Sequence, residues 1–311
     1  MKIRPSTPDD YPAITEIRQA TWPDEGDTAE ALTEEDGQRD PIVKFLRLVA
    51  ERDGQVIGVA QHDQLVGRYH PGKFWLQIEV HPRFQRQGVG GALYDSLMAA
   101  LATHDPLLAR VAFRDDMGDC RRFLEMRGFQ EDWHSWELEL DLNIASPSAA
   151  LAARVEEKLR SEAIEIRTYG ELARDAARDQ KLYDLYEETR QDATFWDPAT
   201  PMGYERFIQF TRSSWNPEAY FVATRGEEYV GLSALQRGDP GGPVDTGWTG
   251  IRRGFRRQGI GLALKLRALE YARAAGYSAI LTTVNSRNQG SLAINERMGF
   301  ARRYAWIYYV K

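Results

Sequence analysis

The 311-residue chain contains a single cysteine, Cys120. No internal disulfide can form, and a metal site built on several thiolates is excluded. A lone thiol needs an activating base beside it to act as a nucleophile; otherwise it is an inert packing group. The five histidines, at 62, 70, 81, 104 and 134, make no His-x-His or His-x-x-x-His pair, so no metal is expected. No apolar run reaches 18 residues, which argues against a membrane span or a membrane partner. The N-terminal MKIRPSTPDDYP has no apolar signal core, and a cytoplasmic location is expected. Excess positive charge is also missing. Lys and Arg number 40 against 46 Asp and Glu, a net charge of −6, which argues against a nucleic-acid partner.

What the chain does have is one loop, twice. Gln85-Arg86-Gln87-Gly88-Val89-Gly90 and Arg256-Arg257-Gln258-Gly259-Ile260-Gly261 lie 171 residues apart. The same offset matches Phe84 with Phe255, Leu93 with Leu264, Glu125 with Glu296, Gly128 with Gly299 and Phe129 with Phe300. A constant offset held over that length means two copies of one module. Alternating apolar residues (Phe74, Leu76, Ile78, Val80) mark a strand before the first loop, and apolar periodicity marks a helix after each. Asp53-Gly54 and Arg225-Gly226 read as hairpin turns. The acidic segment 23–40 reads as a loop, and Asp40-Pro41 as the start of a short helix reaching Phe45. Ser146-Pro147 can start a linker helix to about Leu159.

The resulting order is β-α-α-β-β-β-α-β-α-β in each half. Residues 1–143 form one domain, 144–162 a helical linker and 163–311 a second domain. The expected class is α/β, each domain a mixed, mostly antiparallel sheet flanked by helices.

Both loops have the parts of an anion cradle. Glycine lets backbone approach a ligand, and a helix N-terminus offers free N–H groups. Arg86, Arg256 and Arg257 add charge suited to a diphosphate. Neither loop ends in Gly-Lys-Ser/Thr, and neither fits Gly-x-Gly-x-x-Gly with a following acid. Glycine-rich turns that serve packing alone are the alternative.

On these residues the chain resembles the GNAT acetyltransferase superfamily in its tandem form. The family's loop, Gln/Arg-x-x-Gly-x-Gly/Ala, is met by Gln85–Gly90 and by Arg256–Gly261. The resemblance implies acetyl-CoA as acyl-donor cosubstrate, its pyrophosphate on the loop amides of Gln85, Arg86, Gln87, Gly88, Val89 and Gly90, and of Arg256, Arg257, Gln258, Gly259, Ile260 and Gly261. It also implies that the strand before each loop splays at a bulge, offering backbone near Val80 and Ile251. A second signature, Asn-x-x-Ala-x-x-x-Tyr-x-x-x-Gly-Phe, is met in part by Asn288, Ser291 and Gly299-Phe300, with Asn295 at the tyrosine position. The first half has Met117, Cys120 and Leu124 there. Both halves thus lack the tyrosine that often protonates the leaving thiolate; Tyr304, Tyr308 and Tyr309 are substitutes or core aromatics.

Acetylation needs a neutral amine, hence a base. Asp245 lies six residues before Ile251, where the family often carries a carboxylate; it is a catalytic candidate or a turn residue. Glu79, the only carboxylate on the first strand, is the other catalytic candidate, or a strand-edge group. The acceptor segments differ. The first carries Asp24, Glu25, Asp27, Glu30, Glu34, Glu35 and Asp36; the second carries Phe195, Trp196, Asp197, Met202, Tyr204 and Phe207. The expectation is an N-acetyltransferase acting on a small-molecule amine acceptor, its C-terminal half active. The chain would be a monomer (an internal pseudo-dimer) or a homodimer. A non-catalytic acyl-CoA-binding protein is the alternative.

Overall fold

The computed structural model describes residues 1–23, 28–144, 148–193 and 195–311. Asp24, Glu25 and Asp27 of the acidic segment, and Ser146-Pro147, lie outside them. In chain order the first copy reads β1 (Lys2–Pro5), α1 (Tyr11–Thr21), α2 (Ala29–Gly37), β2 (Leu46–Arg52), β3 (Gln55–Asp63), β4 (Lys73–Val80), α3 (Val89–Leu101), β5 (Leu108–Arg114), α4 (Gly118–Glu125) and β6 (Gln130–Asp141). Helix α5 (Ala149–Ser161) follows, capped by Ser148, whose side chain accepts from the Leu151 N–H. The second copy reads β7 (Glu165–Thr168), α6 (Arg178–Gln191), α7 (Tyr204–Ser214), β8 (Trp215–Arg225), β9 (Glu228–Gln236), β10 (Pro243–Ile251), α8 (Ile260–Ala274), β11 (Ala279–Asn285), α9 (Gln289–Met298) and β12 (Ala301–Val310). The β-α-α-β-β-β-α-β-α-β order thus holds in both copies.

Two local expectations fail. Asp40–Phe45 is a turn and coil, because Asp40 takes the Val43 N–H on its carbonyl and the Ile42 N–H on its side chain, and the chain then enters β2. Part of the acidic segment is helix α2 rather than loop. Thr28 caps it, Leu32 is buried beneath it, and Asp36 is drawn down by Arg47 at 2.7 Å.

The chain forms two compact units: residues 1–113, 117–133 and 307–311, and residues 114–116 and 134–306. In the first, β1, β2, β3 and β4 pair antiparallel, and β4 pairs parallel with β5. Lys311 exchanges both backbone hydrogen bonds with Ala109 of β5, at 2.8 and 3.0 Å. In the second, β7, β8, β9 and β10 pair antiparallel, and β10 pairs parallel with β11. The far edge of β11 pairs antiparallel with β6, from Asn285↔Ser135 to Ala279↔Asp141. Each unit is therefore completed by a strand from the other half of the sequence. This covers the edge of the parallel strand, which would otherwise present unpaired backbone.

In the second unit one sheet face carries Leu140, Val244 and Ile280 against Leu264, Ala268 and Ala272 of α8. The other carries Tyr220, Val222 and Leu232 against Leu182, Leu185 and Phe207 of α6 and α7. In the first unit α1 and α2 cover Val49 and Val59 with Ile14, Ile17 and Leu32. Among the described residues no helix is long and apolar enough to cross a membrane.

One residue of α8 breaks the apolar stripe. Lys265 is buried with its ammonium 5.4 Å from the Phe300 ring centroid, and burial alone pushes its pKa down to about 8. The matching place in the first unit, at Tyr94 and Phe129, is filled by the ammonium of Lys311, 3.2 Å from the Tyr94 hydroxyl. An unfolded lysine keeps its proton to about pH 10.4. The penalty for burying the charged form is therefore complete below pH 8, and stability rises as pH climbs from 8 toward 10. Lys265→Met should gain roughly 2–3 kcal/mol at pH 7 and flatten that rise, as read by thermal melts at several pH values. Equal pH dependence in variant and wild type would refute this.

Candidate active site

Each loop enters left-handed backbone space twice, at Arg86 (φ +61°) and Gly88 (+83°), and at Arg257 (+64°) and Gly259 (+89°). A non-glycine residue in that region costs about 1–2 kcal/mol, and both copies carry the cost at the same position. The alternation turns successive N–H groups toward one side and makes an anion-binding concavity. No side chain caps α3 or α8 at Gly88 or Gly259, so the first-turn amides are not satisfied that way.

Neighbouring side chains shape the loops. Gln85 donates to the Val80 carbonyl at 3.0 Å, and Arg256 to the Ile251 carbonyl at 3.1 Å. Gln87 donates to Arg83 and Gln258 to Gly254, so both loops are tied back to the 3-10 turn before them. Val89 and Ile260 are buried and anchor the helices. Arg86 pairs with Asp119 at 3.3 Å in the open. In the second loop Arg252 pairs with Glu188, and both Arg253 and Arg256 pair with Asp192, so two carboxylates at the end of α6 offset about half of the local positive charge. These bonds hold the Asp192 carboxyl below the usual range. Arg257 makes no side-chain ion pair among the described residues. Lys158 of α5 donates to the Arg257 carbonyl at 3.2 Å.

The strand before each loop parts from its parallel neighbour after three residues. β4 and β5 pair only from Lys73 to Trp75, and β10 and β11 only from Pro243 to Asp245. From there to the loop each strand keeps its antiparallel partner alone, leaving one backbone edge free. The copies differ at the opening. β10 has a bulge between Thr246 and Trp248, placing Gly247 as the extra residue; the β3–β4 ladder runs without a register shift.

The carboxylates differ as well. Asp245 stands at the last paired residue, open to solvent on one side. Loss of water on the other side raises its pKa, with Arg303 pulling the opposite way. Registers put Asp245, Leu281, Thr283, Glu139 and Glu137 on one sheet face, opposite the α8 face. Glu137 is 8% exposed and accepts from the Thr283 hydroxyl at 2.7 Å. Its pKa is raised by burial, and further by the negative charge of Asp245. Arg303, at 3.2 Å from Glu139, is engaged there. The 171-residue offset puts Phe74, Ala112 and Tyr308 where the second unit has Asp245, Thr283 and Glu137. Tyr308 stacks on Trp133, ring centroids 3.9 Å apart.

Glu79 is 5% exposed and fully engaged. Arg18 donates to one oxygen at 3.3 Å and Trp22 to the other at 2.8 Å. At the matching place in the second unit Gly250 lies against Thr189, where a Cβ would come within 2.4 Å of the hydroxyl oxygen. Sequence reasoning missed Glu137, Thr283 and Lys158. The alternation Trp136-Glu137-Leu138-Glu139-Leu140 announces a strand with a carboxylate face, but not which unit that strand completes.

Asn288 caps α9, its side chain accepting from the Ser291 N–H at 3.1 Å. Asn295, at the tyrosine position, is fully buried, and among the described residues neither its amide nitrogen nor its oxygen has a hydrogen-bond partner. A carboxamide can donate a hydrogen bond but cannot give up a proton as a phenol does. Tyr309 is tied to Glu125 and Arg121 in the first unit. Leu124 is core, and burial raises the Cys120 pKa, leaving it a poor nucleophile. Among the described residues no group of His, Cys, Asp or Glu could hold a metal ion.

A model of the acetyltransferase (GNAT) family matches residues 11–129 and 180–300. A mycothiol acetyltransferase of Thermobifida fusca is 27% identical over 242 residues, covering 72% of this chain and 70% of its own. An aminoglycoside N(6')-acetyltransferase type 1 of Stenotrophomonas maltophilia is 35% identical over 102 residues, covering 31% of this chain and 65% of its own. A solved tandem GNAT protein from the clavulanic acid biosynthesis pathway superposes with a TM-score of 0.74 at 17% identity, covering 100% of this chain and 98% of that one. The chain is an acyltransferase that belongs to the acetyltransferase (GNAT) family, with one copy of the family's domain in each half.

Proposed function

We propose that the second unit transfers acetyl from acetyl-CoA directly to a primary amine of a small molecule, and that the first unit does not catalyse this step. One observation carries the reading: the two copies share the loop and the opening but not the groups facing it. In the second unit the opening has a bulge and faces Asp245 and Glu137, which attract a cation and can take its proton. In the first, the corresponding positions are Phe74 and Tyr308, and the nearby carboxylate, Glu79, is spent on Arg18 and Trp22. An ammonium arriving there would meet the Arg18 guanidinium.

The residues suit the cosubstrate. The amides of Arg257 to Gly261 and the free Arg257 side chain suit a pyrophosphate, with Lys158 polarising the peptide that carries the Gln258 N–H. The free edge of Thr246–Ile251 can pair with the amides of the pantetheine arm. Asn288 and Ser291 shape the start of α9 beside it. The first loop, Gln85 to Gly90, keeps the same backbone and is read as binding acetyl-CoA without transfer. Exposed Phe195 and Tyr204 suit an acceptor with an apolar body. Aminoglycoside in the name of one relative fits a small polycationic acceptor.

Acetyl-CoA turnover with a panel of amines (an aminoglycoside, a polyamine, an amino sugar and an amino acid) tests this. Gly259→Glu, which strains a left-handed position and puts a carboxylate in the cradle, should abolish turnover, whereas Gly88→Glu should leave kcat within about twofold. Loss of turnover in Gly88→Glu alone would reverse the assignment of halves. Asp245→Asn should lower kcat/KM by about 10²-fold, with calorimetric affinity for acetyl-CoA unchanged. Full activity in that variant would remove Asp245 from the reaction.

A further inference from the structure

We propose that Glu137, carried by β6, takes the proton that the acceptor ammonium must lose, while Asp245 holds that ammonium. The proposal rests on the second unit being the catalytic one. Its basis is the sheet register. β10 leaves β11 after Asp245↔Leu281, so Thr283, two residues further along β11, stands beside the opening. Its direct partner on β6 is Glu137, and the Thr283 hydroxyl fixes one carboxylate oxygen at 2.7 Å. The other oxygen is left for the acceptor. Both residues lie on the sheet face opposite α8.

The charged groups that act on Glu137 come from β10 and β12 and pull in opposite directions. From β10, Asp245 adds negative charge. From β12, the positive charge of Arg303 lowers the proton affinity of Glu137, but its ion pair is with Glu139, two residues further along β6. From β11, the Thr283 hydroxyl lowers its proton affinity without neutralising it. Asp245 keeps solvent contact where a cation can dock, and Glu137 does not. Two like-charged carboxylates in unlike surroundings are a common way to separate binding from proton transfer.

The step balances without a further reactant. One N–H bond of the ammonium breaks as an O–H bond forms on Glu137. The freed lone pair forms the N–C bond to the acetyl carbon, and the C–S bond breaks with its electron pair passing to sulfur. A second proton of the nitrogen goes to sulfur through water. Glu137 returns its proton to solvent past Asp245, so amide, CoA thiol and one proton leave.

The test compares pH profiles of kcat/KM for wild type, Glu137→Gln, Glu137→Asp and Thr283→Val, using whichever amine of the panel above is turned over. Glu137→Gln should lose 10²- to 10³-fold and its ascending limb, with acetyl-CoA affinity within twofold by calorimetry. Glu137→Asp should recover part of the rate. Thr283→Val, which removes the bond that lowers the proton affinity of Glu137, should move the ascending limb to higher pH, a shift no packing defect would mimic. It also serves if Glu137→Gln does not fold. A wild-type profile in Glu137→Gln, or an unmoved limb in Thr283→Val, overturns the assignment while the catalytic reading of the second unit stands. No turnover of any amine by wild type overturns both.

Discussion

A pair of parallel strands that stops after three residues governs both units. Backbone N–H and C=O groups inside a protein need partners, and a sheet normally supplies them along its whole length. Here β10 parts from β11 at Asp245, and β4 from β5 at Trp75. The freed edge runs to a loop whose own amides converge. The loop, the helix that follows and the carboxylates on the neighbouring strands all take their meaning from that opening. A ligand with amides along its length and phosphates at one end would satisfy both sets of backbone groups at once, whereas a bare anion would leave the edge unpaired.

Each unit answers differently the question of what faces the opening. In the first, Tyr11, Arg39 and Arg47 converge on Asp36, and Arg47, Arg18 and Gln77 converge on Gln61. This network continues to Glu79 and Trp22. Removing one member of a buried ion pair costs about 3–5 kcal/mol, so such a face does not rearrange for a passing amine. In the second unit Gly250 takes the place of Glu79 and Thr189 the place of Arg18, so helix and strand close by contact rather than by charge. The negative charge moves instead to Asp245 and Glu137. One scaffold thus spends its carboxylates on structure in one copy and leaves them underpaired in the other.

What was legible in the sequence follows from how local its causes are. Glycine at a left-handed position, a helix start and alternating apolar residues act within a few residues, so loops, element order and the family could be read directly. Asp40-Pro41 shows the limit: a good local start for a helix lost to a turn because β2 begins at Leu46. The acidic residues 29–37 show the converse, polar by composition yet helical because Asp36 has arginines to bind. Strand partnership was not legible. Period-two patterning states that a strand has two faces and is silent on which sheet it joins, so the alternation around Glu137 does not reveal that this strand pairs with β11.

That exchange changes how the duplication should be understood. Were each half a closed domain, Asp245 would share its sheet face with Tyr308, its own half's counterpart of Glu137. With β6 beside β11, the second unit instead draws a carboxylate from the first half of the sequence, and the first unit receives the tyrosine. The asymmetry of the two openings is therefore a property of the whole chain. It cannot be assigned to one half alone, because each half supplies a strand to the other unit.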